Sequence, residues 1–160
     1  MTIQVGDRIP SAKLMLGTPE GPKETSTEEL FGGKTAVLFG VPGAFTPTCS
    51  AKHLPGFVDN FEALKAKGAE VVACMAVNDA FVMAAWGKDQ GVAGKVAMIA
   101  DGSAEFTKKL GLELDLTARG LGIRCQRFAL VAKDGKVTHI AVEAPGAFEV
   151  SRAEAVLGAL

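Results

Sequence analysis

The stretch "TAVLFGVPGAFTPTCS", residues 35–50, joins an unbroken apolar run to a proline-punctuated turn that ends on a thiol. Val37, Leu38, Phe39 and Val41 follow one another with no polar alternation, so both faces of this segment need cover and it reads as a buried strand. Thr46 then suits a helix N-cap and Pro47 the first helical position, where a missing N–H costs nothing. Cys49 falls in the first turn, where unpaired N–H groups and the positive end of the helix dipole favour an anion. A thiolate is such an anion. A small, inert, buried thiol would suit the same place, and the residues by themselves leave both readings open.

Outward from this stretch, Leu54, Phe57, Val58, Phe61 and Leu64 fall at helical spacing, giving a helix to about residue 67 with Gly68 at its end. Pro55-Gly56 is expected to kink it and to leave its first turn able to unwind. "EVVACMAV" (70–77) is apolar on both faces and reads as a central strand. "NDAFVMAAWGK" (78–88) reads as a helix capped by Asn78 or Asp79. A short strand at 96–100 and a short helix at 103–110 follow. Two apolar runs around Asp134-Gly135 predict a hairpin. The chain closes with a helix over 151–160, where Ser151 and Glu154 have the spacing of a capping box. Alternating β and α elements with a terminal hairpin define an α/β domain, a mixed central sheet flanked by helices, over residues 1–160.

Composition narrows the function. The 160 residues are 48% hydrophobic and 22% charged with a net charge of −1. That balance carries no electrostatic footprint for nucleic acid or an anionic membrane. No apolar run approaches the ~20 residues of a membrane span. The N-terminus lacks a basic and an apolar signal region, so a cytoplasmic protein is expected. The three cysteines, Cys49, Cys74 and Cys125, are widely spaced with no CxxC, which in a reducing compartment means free thiols.

"PGAFTPTCS" resembles the active-site segment of the peroxiredoxins, Pro-x-x-x-Thr-x-x-Cys, here Pro42, Thr46 and Cys49. "GAFTPTCSAKHLPGF", "VNDAFVMAAWGK", "GLGIRCQRFALVAKDGKV" and "EAPGAFEVS" are similar to the type II, or atypical, subfamily. The resemblance implies a thioredoxin-like fold and reduction of hydrogen peroxide and small alkyl hydroperoxides. It implies that Cys49 is the peroxidatic cysteine, that Thr46 contacts sulfur and peroxide oxygens, that Pro42 shields the thiolate and that Arg127 stabilises thiolate and peroxide. Displacement at an O–O bond needs a thiolate in line with it and donors on the departing oxygen. Thr46, backbone N–H groups and Arg127 are the expected donors. A homodimer is the family's frequent state. A redox sensor or chaperone-like protein switched by Cys49 oxidation is the alternative function.

The tail offers no second thiol. Some relatives keep a resolving cysteine shortly before the last helix, and here Ser151 lies about there. Cys74 reads as locked in a central strand, and Cys125, two residues before Arg127, stays open as a partner. The expectation is a one-cysteine cycle in which glutathione or glutaredoxin, with thioredoxin as a further possibility, resets Cys49. His53, one helical turn after Cys49, is either a base near the sulfur or a structural side chain. With His139 far off in sequence, neither a metal nor another cofactor is indicated. Trp86, Phe81 and Val82 read as core or subunit interface.

Overall fold

A computed structural model describes residues 1–160. Its centre is a seven-stranded mixed sheet in the spatial order Gly21–Ser26 (β2), Lys13–Thr18 (β1), Ala97–Ala100 (β5), Val71–Ala76 (β4), Thr35–Gly40 (β3), Phe128–Lys133 (β8) and Lys136–Val142 (β9). The apolar runs read from the sequence form its middle: β3 (Thr35–Gly40), β4 (Val71–Ala76) and β5 (Ala97–Ala100) are parallel neighbours. The hairpin of β8 (Phe128–Lys133) and β9 (Lys136–Val142) adds antiparallel to β3. Its turn has Asp134 at φ 50° and Gly135 at φ 75°, the left-handed pair that a two-residue hairpin loop requires.

Each central strand buries both faces. Val37, Phe39, Val72 and Cys74 enter one core cluster, while Ala36, Leu38, Ala73 and Met75 enter the other. The first cluster is roofed by α2 (Leu54–Asp59), α3 (Phe61–Ala66), α4 (Ala80–Gln90) and α6 (Ala153–Leu157), through Phe57, Leu64, Trp86 and Val156. The second is covered by α1 (Thr27–Phe31) and α5 (Glu105–Leu110), through Phe31, Phe106 and Leu110. Cys49 belongs to the first layer and Cys125 to the second.

Two strand pairs escape a reading by periodicity. The hairpin of β1 (Lys13–Thr18) and β2 (Gly21–Ser26) extends the far edge, but β2 is "GPKETS", polar throughout and largely exposed. The separate ribbon of β6 (Glu113–Leu116) and β7 (Gly122–Cys125) has four residues per strand, too short for alternation to show.

Two helix expectations need correction. The long helix breaks at Asn60 (φ −96°, ψ 9°) and changes from π to α geometry beside Pro55. A π-helical turn, Cys49–His53, in which the Leu54 N–H reaches back to the Cys49 carbonyl, runs directly into α2. The wide turn accommodates the missing Pro55 N–H without ending the helical segment there. Asn60 ends the segment by bonding the Gly56 carbonyl through Nδ2, at 2.8 Å, and through its own N–H. At the chain end, α6 covers only Ala153–Leu157 and Ser151 does not cap it. Arg152 holds the N-cap position of α6, one residue after Ser151, and the Ser151 hydroxyl donates to Glu143 at 2.7 Å.

Phe57 is fully buried and stacks on Phe39 with centroids 4.0 Å apart. Phe57→Ala should therefore destabilise the protein by about 3–5 kcal/mol, read from the shift in urea unfolding midpoint.

Candidate active site

The loop from 41 to 48 leaves the end of β3 and is tied down at several points. Val41 N–H donates to the Met75 carbonyl at 3.0 Å and Ala44 N–H to Asn78 Oδ1 at 2.9 Å. Arg124, on β7, donates Nη1 to the Pro42 carbonyl at 3.3 Å. It passes so close to Gly43 that a Cβ there would sit 2.6 Å from Nη1, so a side chain at this position would displace the Arg124 guanidinium. Phe45 takes φ 61°, a left-handed conformation that costs a non-glycine residue energy, and it leaves the ring 54% exposed.

The helical turn starts where the sequence placed it: Ser50 N–H bonds the Thr46 carbonyl at 2.9 Å. The Thr46 side chain, however, does not cap it. Its hydroxyl donates to the Gly43 carbonyl at 2.7 Å. Thr46 therefore cannot also be the donor to a departing oxygen, because one hydroxyl has one proton. What it offers a substrate is an acceptor.

Cys49 is fully buried. Arg127, between β7 and β8, donates Nη2 to the Cys49 sulfur at 3.1 Å. Residues 78 apart in sequence thus meet at the sulfur. Pro42, Thr48 and Arg127 line a cavity of about 640 Å³ together with Leu114, Leu116 and Glu143. Pro42 and Arg127 thus share one cavity wall, while the Cys49 sulfur is buried.

The guanidinium's other arm meets His53, with Nη1 and Nδ1 3.0 Å apart. His53 Nε2 lies 3.0 Å from the Ser151 carbonyl. A carbonyl only accepts, so Nε2 carries the proton; Nδ1 then presents its lone pair and accepts from Arg127. Burial first, and the neighbouring Arg127 charge second, push the imidazole down to about 3. His53 is thus neutral and its lone pair is occupied. It is not the base for Cys49, which settles the two sequence readings in favour of a structural one. Phe39, Phe57 and Phe148 surround the ring, with centroids 4.9, 5.6 and 5.1 Å away.

Behind His53 stands a carboxylate the sequence did not single out. Glu143, just past β9, accepts from Glu149 N–H, Ser151 N–H and Ser151 Oγ, all on Oε2 at 2.7–2.8 Å. Burial opposes its ionisation, but these hydrogen bonds outweigh burial and hold the carboxyl below its ordinary value. In "HIAVEAPG" it reads as one more polar residue at the end of a strand.

The other thiols are poor partners for Cys49. Cys74 is fully buried in β4 between Phe39 and Met98, and burial pushes its thiol well up. Cys125 lies in the opposite core layer, where burial and then Asp101 also push its thiol up. All three cysteines are free. No group of three or more His, Cys, Asp or Glu residues is placed to hold a metal.

Known proteins are similar to this chain in sequence and fold. The Redoxin family matches residues 4–157. Peroxiredoxin-2B of Arabidopsis thaliana is 50% identical over 159 residues, covering 99% of this chain and 98% of that protein. The chloroplastic Peroxiredoxin-2E of the same plant is 49% identical, covering 99% of this chain and 70% of its own length. Reduced Prx3 from Vibrio vulnificus, solved in complex with H2O2, superposes with a TM-score of 0.92 at 50% identity, over 99% of this chain and 96% of that one. The fold is thus the thioredoxin-like fold of a thiol peroxidase. The chain belongs to the peroxiredoxin family, among its type II members, with Cys49 in the peroxidatic position.

Two outcomes follow from the geometry. Arg127→Ala should slow oxidation of Cys49 by peroxide about 10²–10³-fold, the usual loss for one oxyanion donor, in single-turnover stopped flow. His53 is held neutral when folded, at about 3 against an ordinary 6.5. The unfolded chain therefore binds the extra proton across that interval, and its stabilisation is lost as pH falls from about 6.5 toward 3. Unfolding free energy should drop by up to about 1.4 kcal/mol per pH unit more steeply in the parent than in His53→Gln.

Proposed function

We propose that the protein reduces hydrogen peroxide and small alkyl hydroperoxides through a one-cysteine cycle closed by an external thiol. The observation that carries this reading is the Arg127 Nη2 contact with the Cys49 sulfur at 3.1 Å, in a chain whose three thiols are all free. The guanidinium stabilises the thiolate and then the charge that develops on the departing oxygen. Thr46, its proton engaged by Gly43, accepts the hydrogen of the oxygen under attack. Pro42 shields the sulfur side of the cavity. The Cys49 thiolate attacks one peroxide oxygen, the O–O bond breaks, and the sulfenic acid forms as the other oxygen leaves as water or alcohol after taking up a proton.

A reducing thiol next attacks the sulfenic sulfur, giving a mixed disulfide and water, and a second thiol releases reduced Cys49. Glutathione or a glutaredoxin fits this role, with thioredoxin as the alternative. Cys49 is fully buried, so any protein thiol needs the 49–53 turn to open first. That turn is one of wide π geometry next to Pro55, and it is held by the bond from Trp86 Nε1 to Ser50 Oγ at 3.0 Å together with the bonds of Cys49 and His53 to Arg127. Exposed Phe45 and Phe81, at 54% and 73%, support a homodimer that covers them.

The test is the double substitution Cys74→Ser with Cys125→Ser, assayed at steady state with peroxide, glutathione and glutaredoxin. Turnover should stay within about twofold of the parent, the spread expected of substitutions away from the reaction. Loss of turnover, with a Cys49–Cys74 or Cys49–Cys125 bridge seen by mass spectrometry in the parent, would replace the external thiol by an internal one.

A further inference from the structure

We propose that Glu143 is a positioning residue for the peroxide step, acting through Ser151 and His53 to set the orientation of the Arg127 guanidinium. The inference rests on the peroxide-reducing reading above and adds to it a control point that does not touch the sulfur.

Arg127 has only donors, so the arm not engaged with Cys49 needs an acceptor. A carboxylate there would neutralise the guanidinium and weaken its hold on a thiolate. A neutral imidazole fixes the arm and leaves the positive charge directed at sulfur. Imidazole accepts at Nδ1 only as the Nε2–H tautomer, however, and a buried ring of this kind takes its tautomer from the partner at the other nitrogen. That partner is the Ser151 carbonyl at 3.0 Å. If it moved away, the ring could carry its proton at Nδ1, which would then face an Arg127 N–H with nothing to accept it.

The Ser151 carbonyl is held by Glu143. One oxygen, Oε2, receives the Ser151 N–H at 2.8 Å, the Ser151 hydroxyl at 2.7 Å and the Glu149 N–H at 2.7 Å. Three donors converging on a single oxygen suit a carboxylate far better than an amide. The same bonds close residues 144–150 into a strap whose Phe148 ring lies edge-on to His53, with the Arg127 and Arg152 guanidinium carbons 5.9 and 5.3 Å from its centroid. Glu143 is also anchored opposite Arg127, since its N–H donates to the Arg127 carbonyl at 2.9 Å. The two ends of the chain Glu143–Ser151–His53–Arg127 are therefore neighbours across one strand pair, and the route closes as a ring.

A carboxylate that merely stiffened the strap would make the same bonds, so the test must separate stiffness from orientation. Glu143→Gln is compared with the parent for the single-turnover rate of Cys49 oxidation by hydrogen peroxide and for thiolate absorbance near neutral pH. The comparison is repeated in an Arg127→Ala background. The expected result is a slowing of about tenfold, within the range for residues sharing one hydrogen-bond network, together with reduced thiolate absorbance. With Arg127 already removed, the same substitution should change the rate less than about twofold. Equal slowing in both backgrounds, or none in the parent, overturns the proposal. Arg127→Ala reacting as fast as the parent would instead remove the peroxide-step reading on which it rests. Should Glu143→Gln fail to fold, Ser151→Ala carries the same pair of comparisons. It deletes one of the three donors, keeps the carbonyl and should slow the parent about threefold while leaving the Arg127→Ala background unchanged.

Discussion

The site depends on a cation held in place without being neutralised. Arg127 reaches the Cys49 sulfur with one arm and is steadied on the other by a ring that burial keeps uncharged. In a low-dielectric pocket a nearby unit charge is worth far more than at a surface, and its effect is cancelled by any opposite charge placed equally close. A neutral acceptor therefore combines rigidity with undiminished electrostatic pull. The anionic Glu143 contributes at one remove, through the Ser151 carbonyl, and the protein's reactivity and its architecture meet in that arrangement.

The fold supplies the two halves of the contact from opposite ends of the chain. Strand β3 delivers the 41–48 loop and the turn bearing Cys49, while β8, its antiparallel neighbour, begins just after Arg127. Gly40 pairs with Phe128 in that register, so the last rung of the ladder lies beside the site. A side chain at Gly40 would overlap the Phe128 ring, with a Cβ only 2.2 Å from Cε1. Close approach of these two strand ends is thus a condition for the arginine to reach the sulfur.

The apolar runs 35–41 and 70–77 and the Asp134-Gly135 turn made the sheet's centre and its hairpin legible, because double burial and a left-handed turn leave strong marks on local sequence. The Thr-Pro-Thr-Cys run likewise announced a helical start. What stayed hidden depends on distance or on competition. The β6–β7 ribbon is too short to show a period. Ser151 had the local pattern of a cap, yet a carboxylate eight residues back in sequence took its hydroxyl. Thr46 was read as a donor, and the nearby Gly43 carbonyl took its proton. His53 and Glu143 joined the site through contacts that no spacing along the chain encodes.

The central claim is that an unneutralised guanidinium is aimed at the Cys49 sulfur and favours negative charge there. The ultraviolet thiolate absorbance of the reduced parent, measured against Cys49→Ser at pH 6, tests it directly. Burial pushes the Cys74 and Cys125 thiols upward, so neither contributes to this signal. The account requires excess absorbance from one thiolate in the parent, lost when Arg127 is replaced by alanine. Equal absorbance in the parent and Cys49→Ser, or an excess that survives Arg127→Ala, would contradict it.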